Sequence, residues 1–163
     1  MFRTGSNKPI DFKDIPDAML NFYNSHKDLG DISIIFGTDS QNFSRTKMVE
    51  VIAMICKGRG GIFFYQITTM DLVRNVRQKL HIETQTSLEL ADKTIELIEN
   101  DNKYSDMFAT CNFAVHVDAG NSERGKTKEL IPELVGWVKA CGYDCQTKPN
   151  SFVASSIADK ISK

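Results

Sequence analysis

Two apolar segments of this sequence each end in an aspartate, and this pattern constrains the fold more than any other feature. The first segment spans residues 32–38 and is followed by Asp39, and the second spans residues 113–117 and is followed by Asp118. Strand propensity and desolvation both disfavour a carboxylate inside a well-paired strand, so both aspartates are predicted at strand ends. Open α/β sheets bind their ligands at the carboxyl ends of strands, where these two residues would be neighbours.

Two interpretations of this pattern remain open from the residues alone. Carboxylates that end neighbouring strands fit a hard-cation site built from oxygen ligands. Alternatively, both aspartates simply begin loops, because the pair Asp39-Ser40 and the triplet at 118–120 are also good turn starters.

The composition is that of an ordinary globular protein and limits the possible functions. The chain has 163 residues, of which 41% are hydrophobic and 25% charged, which suits one domain. Its net charge of −1 excludes a generally basic nucleic-acid coat. No apolar segment is long enough to span a membrane, and the N-terminus lacks the apolar core of a signal peptide, so a cytoplasmic location is expected.

The hydrophobic periodicity predicts the order β-β-β-α-β-α-β-α after a flexible lead of about ten residues and a short helix near Ile15. Glycines and basic residues at 57–61 predict a turn that joins the second and third strands as an antiparallel hairpin. The predicted strands are 31–37, 48–56, 62–67, 109–117 and 143–146, and the predicted helices lie within 15–23, 71–100, 128–141 and 152–161.

This order predicts an α/β fold with a ribonuclease H-like layout. Three antiparallel strands are followed by helical crossovers that add two parallel strands. We therefore expect a five-stranded mixed sheet in the order 3-2-1-4-5, flanked by helices. Residues 1–29 are expected to hold the flexible N-terminus and the short helix, and residues 30–163 to form the ribonuclease H-like domain.

Three motifs, in this order and spacing, resemble those of a known family. They are GTDSQ at 37–41, HVDAG at 116–120 and the closing stretch at 147–160. From about residue 30 onwards the chain resembles the YkuK-type family of ribonuclease H-like predicted nucleases. The resemblance implies a ribonuclease H-like fold and a divalent-metal nuclease site, and it implies no particular substrate.

The resemblance also suggests which residues would bind metal. In that superfamily the ligands are a first-strand aspartate, a helix glutamate, a fourth-strand aspartate and an acidic residue of the C-terminal helix. Asp39, Asp118 and Asp159 match three of these positions, although the pattern of the last helix leaves Asp159 either in the cleft or in solvent. The helix glutamate is Glu83 or Glu89. At about 100° per residue, Glu89 lies opposite the apolar face and Glu83 at its edge, which favours Glu83.

The expected chemistry is hydrolysis of phosphodiester bonds in DNA or RNA. Mg²⁺ or Mn²⁺ is the expected cofactor, because carboxylate oxygens suit hard ions and no Cys/His set competes. The alternative is a non-catalytic nucleic-acid-binding or regulatory module on the same fold.

Other residues near these motifs have both a functional and a structural interpretation. Lys148 and Lys160 could contact phosphate or be merely solvated. His116 could hydrogen-bond a metal ligand or carry a proton, or it could be a buried histidine whose ring nitrogens have hydrogen-bond partners, and the buried histidine is favoured. The polar segment 120–127 could contact a nucleic-acid backbone or simply connect strand to helix.

Overall fold

In the computed structural model, the described part of the chain, residues 1–119 and 128–162, forms one mixed sheet with helices on both faces. The strands are β1 Phe2–Thr4, β2 Pro9–Ile10, β3 Ile32–Asn42, β4 Thr46–Cys56, β5 Gly60–Met70, β6 Asn112–His116 and β7 Asp144–Gln146. The helices are α1 Ile15–His26, α2 Val76–Glu99, α3 Ser105–Thr110, α4 Leu130–Ala140 and α5 Val153–Ser162.

The sheet has seven strands in the order β2-β1-β5-β4-β3-β6-β7. Strand β3 lies between β4, with which it pairs antiparallel, and β6, with which it pairs in parallel from Ser33 to Gly37. The predicted mixed α/β sheet flanked by helices is confirmed. The prediction of five strands in the order 3-2-1-4-5 is wrong for the sheet as a whole, because two further strands extend one edge.

The two additional strands come from the N-terminal residues, which we expected to be a flexible lead. Strand β1 pairs with β5 through Arg3↔Tyr65, and β2 pairs with β1. Phe2 is buried, with its ring centroid 5.5 Å from that of Phe12. Burial of this side chain and backbone pairing offset the entropy of ordering the segment. A strand of three residues is too short to show the alternation on which the prediction depended.

Strand β3 is longer than predicted, and its length changes the description of Asp39. The predicted strand ends at residue 37, whereas β3 continues to Asn42, where it pairs with Thr46 of β4. The Thr46 hydroxyl donates a hydrogen bond of 2.8 Å to Asn42 Oδ1, which closes the hairpin. Asp39 therefore lies inside a strand, but in the part of β3 that extends beyond β6.

The two faces of the sheet bury different helices. Alternate β3 side chains such as Ile34 and Phe36 belong to a core with α1, α2 and α4, whereas Ile35 on the opposite face packs in a second core with α5. None of the described helices combines the length and the apolar character needed to cross a membrane. The cytoplasmic location and the boundary between residues 29 and 30 stay predictions.

Helix α5 packs closely against the sheet at Gly37. A Cβ atom added to Gly37 would lie 2.9 Å from Cβ of Ala154 and 3.4 Å from its backbone nitrogen. Because backbone must then shift, Gly37→Ala is expected to destabilise the fold by about 1–3 kcal/mol. Urea unfolding of the two proteins, compared by their midpoints, measures this effect.

A matched control is Gly136→Ala in α4, where an added Cβ meets no described atom within 4 Å. Alanine is the better helix former by about 1 kcal/mol, so this variant should be as stable as the wild type or more so. Equal midpoints for Gly37→Ala and the wild type would contradict the close packing of α5.

Candidate functional site

Asp39 and Asp118 lie next to each other where the pairing between β3 and β6 ends. The last parallel pair is Gly37↔His116, and each aspartate follows its member of that pair by two residues. Both side chains are partly buried. Their carboxyl groups are close enough to share a hydrogen bond when one of them is protonated.

This contact changes the acidity of Asp39. The pKa of Asp39 is raised from 3.8 to about 6, chiefly by burial, and the charge of Asp118 and the hydrogen bond between the two carboxyl groups contribute to the same shift. The ammonium group of Lys79 opposes this shift, and the charge of Asp159 adds to it. Carboxyl groups with raised pKa values in a cleft are typical of sites that bind a cation or a proton in function.

Glu83 of α2 reaches the same region from the opposite face of the sheet. Its side chain is only 7% exposed. Its Oε1 accepts a hydrogen bond of 3.0 Å from the backbone nitrogen of Ser40 and a short one from the Ser40 hydroxyl. Because β6 ends opposite Gly37, it does not reach the backbone N–H of Ser40. Glu83 accepts the hydrogen bond from this N–H that the backbone of a neighbouring strand would otherwise accept.

Burial raises the pKa of Glu83 from 4.5 to about 8. The hydrogen bonds from Ser40 and the charge of Lys79 oppose the shift, whereas the charges of Asp39 and Asp118 add to it. Glu83 is therefore electrostatically coupled to both aspartates. The other glutamate considered, Glu89, is exposed and accepts a hydrogen bond of 3.0 Å from Gln85.

Asp39, Asp118 and Glu83 form a carboxyl cluster, and Asp159 lies at its rim. Its side chain on α5 is exposed, yet its charge is close enough to raise the pKa of Asp39. Of the two positions that the sequence allows for Asp159, cleft or solvent, the structure shows an exposed residue whose charge still acts on Asp39.

Two lysines flank the carboxyl groups. The Nζ atom of Lys148 lies 3.4 Å from Oδ1 of Asp118, an oxygen that is buried and accepts no hydrogen bond of good geometry from any described group. Lys79 lies one helical turn before Glu83, and its charge lowers the pKa of both Glu83 and Asp39. Lys79 was not predicted from sequence, although its spacing of four residues from Glu83 places both on one side of the helix.

His116 is buried, as the favoured interpretation expected, but it is not satisfied. Its Nδ1 atom has no hydrogen-bond partner among residues 1–119 and 128–162. Its ring makes an edge contact with Phe152, with 5.4 Å between centroids. Burial lowers the pKa of His116 to about 4, so the imidazole is neutral at pH 7. The predicted backbone contacts of segment 120–127 lie outside the described residues.

Comparison with known proteins identifies the family of this chain. A family model described as ribonuclease H-like matches residues 15–163. The chain belongs to the ribonuclease H-like family. It is 28% identical over 171 residues to the "Uncharacterized protein YkuK" of Bacillus subtilis (strain 168), covering 100% of this chain and 97% of that protein. The resemblance to the YkuK type is thus confirmed. No solved structure matches the chain significantly.

The ribonuclease H-like family implies a divalent metal, and the Asp39–Asp118 pair is the part of the cluster that fits one. The pair supplies oxygen ligands, including Oδ1 of Asp118, which accepts no hydrogen bond from a described group and lies 3.4 Å from the ammonium group of Lys148. The described residues contain no group of three or more His, Cys, Asp or Glu side chains arranged to hold a metal ion. A two-carboxylate site suits Mg²⁺, which usually keeps several waters and binds through one or two carboxylates plus substrate phosphates.

Proposed function

We propose that the protein hydrolyses phosphodiester bonds in nucleic acid, DNA or RNA, at a divalent-metal site built on Asp39 and Asp118. The observation that carries this proposal is the contact between the two carboxyl groups where parallel β3 and β6 part, in a chain of the ribonuclease H-like family. Glu83 and Asp159 are the proposed further ligands, with Asp159 the more replaceable because it is exposed at the rim.

Mg²⁺ or Mn²⁺ is the proposed cofactor, because carboxylate oxygens are the donors that hard ions prefer. When bound, such a cation supplies positive charge to the scissile phosphate and lowers the pKa of a bound water. Asp39 and Asp118 would hold it. Ser40 orients Glu83 through Oε1, and no described donor binds its other oxygen, Oε2, which is therefore available as a ligand.

The two lysines would bind and orient the substrate. Lys148 and Lys79 are both close to the carboxyl cluster, so their ammonium groups would meet the phosphate of a strand that enters it. Fixed positive charges beside a phosphate also stabilise the additional negative charge that develops in the transition state. His116 is neutral at pH 7 and would act as a hydrogen-bonding group rather than as a cationic acid.

A non-catalytic nucleic-acid-binding module is the second candidate. It is favoured by the absence, in residues 1–119 and 128–162, of a group of three or more side chains arranged to hold a metal. In such a module the lysines would bind phosphates, and the carboxyl cluster would be a remnant of the family's site. The two candidates differ in whether any substrate is cut.

A substrate panel tests the proposal. The wild-type protein is incubated with single-stranded DNA, single-stranded RNA, duplex DNA and an RNA·DNA hybrid, each with Mn²⁺, Mg²⁺ or EDTA. We expect cleavage of at least one substrate with metal and none with EDTA, because the carboxyl pair alone cannot supply the charge that the phosphate needs.

Two variants prepared in the same way control for contaminating nucleases. Asp39→Asn should be inactive, and Asp28→Asn, which changes an exposed aspartate before β3, should retain full activity. If Asp39→Asn cuts as well as the wild type, the activity belongs to a contaminant. Binding of nucleic acid without cleavage of any substrate would favour the non-catalytic module.

A further inference from the structure

A second surface of the protein suits a nucleic-acid strand and lies on the same face of the sheet as Asp39. It is a cavity of about 560 Å³ between the outer strands β1 and β5 and the C-terminal turn of α5. We call it the Arg3–Lys160 groove and define it by Arg3, Asn7, Phe63, Tyr65, Ile67 and Lys160.

The charge of the groove differs from that of the protein as a whole. The protein has a net charge of −1, whereas none of the described residues that line the groove is acidic and two of them are cations. The Arg3 guanidinium uses one N–H to bind the Asn7 carbonyl at 3.0 Å, which leaves its other donors available. A local excess of positive charge favours a polyanion.

The remaining lining has the mixed character that a nucleotide requires. The Tyr65 hydroxyl and the Asn7 side chain form a polar pair, joined by a hydrogen bond of 2.8 Å. Ile67 is 42% exposed, and the Phe63 ring lies beneath the ammonium group of Lys160 at 5.8 Å. Cations beside apolar surface are the combination by which proteins hold the backbone and the unpaired bases of a single strand.

Sheet register connects the groove with the carboxyl cluster. Ile67 pairs with Val49, and Val49 pairs with Asp39, so the three residues form one row across β5, β4 and β3. Residues directly opposite each other in antiparallel strands point to the same face. Two strand spacings separate Ile67 from Asp39, a distance of about 10 Å.

The last turn of α5 borders both the groove and the carboxyl cluster. Val49, which lies between Ile67 and Asp39 in this row, is fully buried. Two consecutive residues of α5 reach the two sites: Asp159 is close enough to raise the pKa of Asp39, and Lys160 covers Phe63 in the groove. A chain that leaves the carboxyl cluster can therefore follow the end of this helix into the groove. A single strand can do so, whereas the bases of a duplex remain stacked inside it.

We propose that the Arg3–Lys160 groove binds the sugar–phosphate backbone of single-stranded nucleic acid, next to the phosphodiester that lies at Asp39 and Asp118. The position of a phosphodiester at Asp39 and Asp118 rests on the proposed function, whereas binding of the strand in the groove does not. Arg3 and Lys160 would each neutralise a phosphate, and Ile67 would contact an unpaired base.

Fluorescence anisotropy of a short labelled single-stranded oligonucleotide, measured in EDTA over a range of salt concentrations, tests the groove. Lys160→Gln should raise the Kd roughly 3- to 10-fold and reduce the slope of log K against log salt by about 0.7, the value for one phosphate contact on a single strand. The double variant Arg3→Gln/Lys160→Gln should reduce the slope by about 1.4. The single variant keeps the test valid if loss of Arg3 disturbs the N-terminal strands.

The control is the double variant Lys27→Gln/Lys139→Gln, which removes the same charge from two exposed residues at the end of α1 and in α4, helices that pack on the opposite face of the sheet. It should leave the slope unchanged. An unchanged slope for Arg3→Gln/Lys160→Gln would overturn the inference. Equal affinity for a duplex, for heparin or for anionic lipid vesicles would also overturn it, because the groove would then be a general polyanion site.

Failure of the groove and failure of the nuclease proposal give different results. Groove-dependent binding by a protein that cuts no substrate supports the groove and rejects the nuclease. Cleavage with metal by a wild-type protein whose strand binding does not depend on Arg3 and Lys160 rejects the groove alone.

Discussion

Asp118→Asn and Asp39→Asn are each expected to lower kcat/KM for phosphodiester hydrolysis about 10³-fold or more. Each change removes a charged ligand of the proposed cation, and the charge that this cation supplies to the reaction is worth several kcal/mol. Asp159→Asn should cost only about tenfold, because an exposed ligand at the rim adjusts the occupancy of the site rather than creating it. Rates at saturating Mn²⁺ for the three variants measure this order.

Thermal unfolding with and without Mn²⁺ gives a second readout of the same pair. The wild type should gain stability from the ion by mass action, and Asp39→Asn and Asp118→Asn should not. Without metal, both variants should be as stable as the wild type or more so, because each removes a repulsion between carboxylates. Retained stabilisation by Mn²⁺ in Asp118→Asn would show that the pair does not hold the ion.

The position of the two aspartates could be predicted from sequence, although the reason was incomplete. Desolvation predicts Asp39 at the end of its strand, whereas β3 continues for three residues beyond it. Asp39 lacks a strand neighbour on one side because β6 ends at His116, before it reaches this part of β3. Asp39 is thus inside a strand but beyond the end of its neighbour β6, and the sequence pattern of β3 alone does not distinguish this arrangement from a strand end.

Helical periodicity predicts which of the two candidate glutamates of α2 is buried. The positions of Glu83 and Glu89 on α2 depend only on local geometry, and the structure buries the first and exposes the second. The bond from Ser40 to Glu83 joins residues 43 positions apart, so no local pattern could reveal it. The same holds for β1, whose pairing with β5 depends on a register set by distant residues.

Glu83→Gln is expected to stabilise the metal-free protein increasingly as the pH rises. Burial raises the pKa of Glu83 from 4.5 to about 8, so the folded protein keeps a proton that the unfolded chain releases between these values. The wild type is therefore penalised progressively as pH rises through this window, and the penalty is complete above pH 8. At about 1.4 kcal/mol per pKa unit, the gain of the variant by pH 8.5 should be on the order of 2–4 kcal/mol.

The measurement is the unfolding temperature of both proteins in EDTA between pH 6 and 8.5. This range lies above the window of Asp39, whose raised pKa of about 6 affects stability at lower pH, so it isolates Glu83. The expected difference grows to roughly 5–10 °C at the upper limit, at about 2–4 °C per kcal/mol for a chain of this size. Glu89→Gln, on the same helix but exposed, is the control and should show no growing difference. A constant difference for Glu83→Gln across this range would mean that Glu83 is already ionised at pH 6, and that Ser40 and Lys79 fully offset its burial.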